Sequence, residues 1–105
     1  MEPSRAIAEA AMHTRAALLV ADQLTGLPAF EAADLRLILA LTVHMLGDPA
    51  DDPAAIAAGS TCSEHLEHAA AALDTIPAAS RPAGLLNARC RLATALQTSQ
   101  QLLLP

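Results

Sequence analysis

Leu35 to Leu46, LRLILALTVHML, is the stretch that decides the fold. Wound at roughly 100° per residue, it carries large apolar side chains at Leu35, Leu37, Ile38, Leu39, Leu41, Val43, Met45 and Leu46, leaving only a strip through Arg36, Ala40 and His44. A helix apolar over most of its circumference is expected to be the central one, buried by protein. A bilayer span takes about 20 apolar residues; this stretch is shorter, and Glu31, Asp34, Arg36 and Asp48 charge it and its flanks.

Working outward, the pattern predicts a helix from about Ala29 to Leu46 that stops at Gly47, with Pro49 just beyond. Before it, Pro3 suits the first turn of a helix running to about Leu24, with Gly26 and Pro28 closing it. Its expected seam is Ile7, Ala11, Leu18 and Ala21, whose small members let a neighbouring helix approach closely. After the charged connector DPADDP, Asp52 and Pro53 open a short helix to about Ala58. Gly59 interrupts it, and Thr61 with Glu64 fits a capping box that starts a longer helix to about Thr75. A single helix kinked at Gly59 is the alternative. The core stripe of the longer part is Cys62, Leu66, Ala69 and Leu73. A last amphipathic helix is expected from Arg81 or Pro82 to Leu103, capped by Ser80, with Leu85, Leu92, Leu96 and Leu103 as its seam and Arg89 and Ser99 as polar intrusions.

Composition agrees. Ala and Leu, the strongest helix formers, supply 26 and 18 of the 105 residues, while Phe30 is the only aromatic, which moves the expectation to all-α. Short connections favour antiparallel neighbours, so the expected architecture is a single up-and-down four-helix bundle over residues 1–105, its third helix kinked or broken near Gly59. All six basic residues are Arg, which reads as the codon bias of a GC-rich bacterial genome.

The net charge of −5 and the lack of stacking aromatics argue against nucleic acid as a partner. After Asp74 come Arg81, Arg89 and Arg91 and no acid, an arrangement that offsets the acidic middle of the chain. Nothing at the N-terminus resembles a secretory leader, since Glu2 and Glu9 flank Arg5 and the apolar run from Ala16 ends at Asp22. A cytoplasmic protein is expected, with Cys62 and Cys90 as reduced thiols and no membrane partner.

Chemistry-bearing patterns are sparse. There is no Gly-rich phosphate loop, no G-x-S-x-G and no H-E-x-x-H, so no enzyme and no cofactor is expected. Cys62, Glu64, His65, Glu67 and His68 form the one cluster of ligand-type residues. Cys62, His65 and His68 could hold zinc or copper, yet at three-residue steps they fan over about 120° of the helix and do not easily converge. His13 and His44 read as structural residues. The preferred function is a small interaction module that self-associates or docks a protein partner; the alternative is a metal-binding or metal-sensing bundle on Cys62, His65 and His68. A partner is expected because one bundle core covers the middle and one lobe of the Leu35–Leu46 arc. The other lobe, either Leu37 and Leu41 with Phe30 near them or Leu35, Leu39 and Leu46, is left to face an interface, the alternative being that the short Pro53–Ala58 helix and Leu102–Leu104 fold over it.

Overall fold

The structure, a computed structural model, describes residues 2–23 and 29–103. Expectations that rest on Leu24, Gly26, Pro28 and Leu104, and on the side chain of Leu103, fall outside those residues. Among the described residues the chain is helical with no strand: α1 (Pro3–Gln23), α2 (Ala29–Leu46), a one-turn α3 (Ala54–Ala57), α4 (Cys62–Asp74) and α5 (Leu85–Leu103). Its radius of gyration, 12.9 Å, is that of a close-packed chain of this length, about 13 Å for 100 residues.

Helix α1 packs most extensively against α4 and next against α2, while α5 packs against both α2 and α4. The alanine-rich α1, not the leucine-rich α2, is therefore the most enclosed element. It buries Ala6, Ala10, Ala11, Thr14, Ala16, Ala17 and Ala21, whereas α2 buries only Leu35, Leu39, Thr42 and Leu46. The expectation of a central α2 fails because apolar side chains measure what burial would gain, whereas methyl-sized ones decide how closely neighbours can approach. Of the expected α1 seam, Ala11 and Ala21 are buried; Ile7 and Leu18 lie half-buried at its edge.

The break at Gly59 is complete. Helix α3 ends at Ala57, and α4 starts afresh behind a full capping box: Thr61 Oγ1 accepts from the Glu64 N–H at 3.1 Å, and Glu64 Oε1 accepts from the Thr61 N–H at 2.9 Å. The predicted stripe Cys62, Leu66, Ala69 and Leu73 is buried throughout. Helix α3 folds back onto α1.

The last helix begins three residues later than Pro82. Residues Ala78–Ser80 form a 3-10 turn, and Gly84 takes a positive φ of 87°, which interrupts any helix started at Arg81 or Pro82. From Leu85 onward the seam is as expected at Leu85 and Leu92, with Leu96 half-buried and Ala88 and Ala95 filling between. Ser99 is accommodated in that seam by donating to the Leu96 carbonyl and accepting from Ser63 of α4 at 2.7 Å. Arg89 crosses to Asp74 with two bonds of 3.0 and 3.2 Å, and this holds the Asp74 carboxyl below its ordinary range.

Candidate functional site

The outward face of α2 carries the largest run of uncovered apolar side chains among the described residues. Phe30 is 82% exposed, Leu37 58%, Leu41 42% and Met45 40%. Their spacing of seven and four residues places Phe30, Leu37 and Leu41 along one stripe, with Met45 at its edge. The opposite face holds Leu35, Leu39 and Leu46 against α1 and α5, with Ile38 half-buried between. Of the two lobes left open by the sequence, Leu37 and Leu41 face out, and Leu39 and Leu46 belong to the core.

Three polar side chains mark the ends of this face. Glu31 and Asp34 are exposed near the start of α2 and His44 is exposed near its end, while Arg36 turns aside to Asp22 at 3.7 Å. α3, which could have lain over the stripe, is occupied with α1.

A second constellation lies at the α1–α4 contact. His65 is buried, with Nε2 3.1 Å from the Ala57 carbonyl and Nδ1 3.3 Å from Nδ1 of His13. His68, exposed, stacks on His13 with ring centroids 5.0 Å apart and planes inclined by 25°. Burial holds the His13 imidazole below its ordinary pKa, and the neighbouring His68 and His65 push the same way against Glu9, which raises it. The proposed trio Cys62, His65 and His68 is not assembled: the partner of His65 and His68 is His13, and Cys62 is a core residue whose thiol burial pushes up to about 11. Among the described residues no three His, Cys, Asp or Glu side chains are disposed to hold one ion.

His13 is the member of this cluster that sequence reading sets aside as structural. Fifty-two positions separate it from His65, and only the register of α1 on α4 brings the rings together. No family model, no curated protein and no solved structure matches this chain. No helix among the described residues is long and apolar enough to cross a membrane.

Proposed function

We propose that the protein is a small self-associating helical module, a four-helix bundle that pairs with a second copy of itself through the outward stripe of α2. The observation that carries this reading is the exposure of Leu37 and Leu41 beside Phe30 on a regular helix face. Full burial of a Leu or Phe side chain stabilises by about 1.5–3 kcal/mol, so leaving this stripe in water forgoes several such contributions. The contact sequence α1 to α2, α2 to α5, α5 to α4 and α4 back to α1 supports the bundle.

A second copy is the favoured occupant because the stripe runs the length of α2 from Phe30 to Met45 with Leu37 and Leu41 in its middle, and so matches itself when the second copy is turned end for end. Closed twofold pairing is also the commonest way such a patch is covered. Parallel pairing would gather the Glu31 and Asp34 carboxylates of both copies at one end. Antiparallel pairing puts Leu37 of one copy level with the partner's Leu41 and sends the acids to opposite ends. One helix face is smaller than the roughly 800 Å² per partner of a standard interface, so the association is expected to be concentration-dependent. On this reading the module has no catalytic activity of its own and acts in the cytoplasm by bringing two copies together.

Light scattering coupled to size exclusion tests it. The wild-type chain should move from monomer to dimer as its concentration rises toward about 100 µM, and Leu37→Glu with Leu41→Glu should remain a helical monomer throughout. A wild-type monomer at every concentration defeats the proposal.

A further inference from the structure

The three imidazoles between α1 and α4 have a protonation pattern set by their surroundings. A carbonyl oxygen can only accept, so the 3.1 Å contact between His65 Nε2 and the Ala57 carbonyl places a proton on Nε2. A neutral His65 is then bare at Nδ1, which faces His13 Nδ1 at 3.3 Å in an otherwise closed setting. The hydrogen bond exists only if His13 donates from Nδ1. The contact therefore has room for one proton and not for two.

We propose that the His13–His65 contact is an acid-operated latch on the α1–α4 seam, closed while its two Nδ1 atoms share a single proton and opened when both carry one. Protonating His65 at Nδ1 while His13 keeps its own Nδ1 proton sets two N–H groups head-on across 3.3 Å and puts a positive charge on one of two rings whose centroids lie 5.6 Å apart. His68, stacked on His13, adds a third imidazole to the same spot. The loop anchor is spared, because the Nε2 proton that holds the Ala57 carbonyl is present in either state; the strain falls on the helix seam. Glu9 of α1 favours charge on His13, and Glu64 of α4 interacts with His65 and His68, so these two carboxylates oppose the opening. Helix α3 contains no titratable residue, and no charged group of α2 or α5 acts on His13.

The sign follows from the geometry, which excludes a second proton from the closed contact, and burial, which holds His13 below its ordinary value, acts in the same direction. The folded chain binds fewer protons there than the unfolded one. The stability it contributes is intact above the unfolded histidine value of about 6.5 and is lost as pH falls below it. Because the rings are coupled, the steps belong to the cluster rather than to one residue.

Urea unfolding of the full chain with chelator present, from about pH 8 to pH 5.5, tests the latch, since each extra proton taken up on unfolding raises the unfolding constant tenfold per pH unit. The wild type should be flat at the alkaline end and steepen below about pH 6.5. His13→Gln keeps an N–H donor for neutral His65 and, with its amide turned over, an oxygen acceptor for the protonated ring, so it should fold at pH 8 and lose about one proton of that slope. An unchanged slope in His13→Gln overturns the latch. If that variant does not fold, nitrogen-15 shifts of the wild-type imidazoles decide: a bare His65 Nδ1 at pH 7.5 that gains its proton as the seam opens supports the proposal, and a protonated Nδ1 in the folded chain at pH 7.5 overturns it. A stoichiometric gain in stability on adding zinc chloride, abolished in His13→Gln, also overturns it by assigning the cluster to an ion.

Discussion

Cys62 and Cys90 differ in reactivity because one helix hides its thiol and another displays it. Cys62 is fully buried on the core stripe of α4 and its thiol is pushed up to about 11 by burial, so little thiolate forms and none of it is accessible; Cys90 is exposed. A thiol reagent at neutral pH should therefore modify one site quickly, identified as Cys90 by peptide mapping, and Cys62 only on unfolding. Equal rates at both would contradict the helical phases of α4 and α5. At the same end of α4, Thr61→Ala removes the oxygen that satisfies the Glu64 N–H, a loss of about 1 kcal/mol that chemical denaturation would register as a lower midpoint at unchanged slope. Both features are legible in sequence because they are local: a hydroxyl and a carboxylate three residues apart, or a thiol at a known phase of an apolar stripe. The His13–His65 pair is not local. Nothing in the spacing of residues along α1 states which turn of α4 it will meet, so the sequence presents His13 as an isolated ring and groups His65 with Cys62 instead.

At the level of elements, the sequence marks out the long helices because their breaks are written in Gly, Pro and caps. Gly47, at φ 85°, ends α2 with its N–H bonded to the Val43 carbonyl, and Asp52 Oδ1 accepts from the Ala54 N–H at the start of α3. The start of α5 was harder to read, since Ser80–Arg81–Pro82 resembles a helix opening and only the left-handed Gly84 behind it forbids one. The order of burial was misread for a different reason. Side-chain hydrophobicity ranks α2 first, while the close approach allowed by Ala6, Ala10 and Ala17 puts α1 between α4 and α2. The two faces of α2 should then respond oppositely to charge. Leu39→Glu with Leu46→Glu places carboxylates in the core against α1 and α5, where an unpaired charge costs several kcal/mol, enough to abolish the folded state of a chain this size. Leu37→Glu with Leu41→Glu meets solvent and should leave the far-UV circular dichroism at pH 7.5 helical. Unfolding by the outer pair, or tolerance of the inner pair, would show that the phase of α2 is reversed.

For the whole molecule, the distribution of charge along α2 decides which way two copies would lie. Glu31 and Asp34 sit within the first two turns and are exposed, Arg36 is engaged with Asp22, and His44 is near the far end. In a parallel pair four carboxylates would share one end, along with two aligned helix N-termini; in an antiparallel pair the two helix dipoles oppose each other and Asp34 of each copy lies level with His44 of the other. Centred on the level of Leu39, halfway between Leu37 and Leu41, antiparallel pairing offsets the two Glu31 positions by sixteen residues of rise, about 24 Å. That exceeds the screening length of about 8 Å at physiological salt, so the two acidic ends no longer repel. Parallel pairing leaves the same positions side by side, within about 10 Å of backbone separation. Spin labels on Glu31→Cys, in a background with Cys90→Ser and with Cys62 left buried, turn this difference into a distance. Pulsed electron resonance on the dimer should give a distribution centred beyond about 24 Å once the label arms are added; a peak below about 20 Å would be the parallel arrangement. The charge argument can be checked separately, because raising salt should strengthen a parallel dimer by screening its four carboxylates and leave an antiparallel one nearly unchanged.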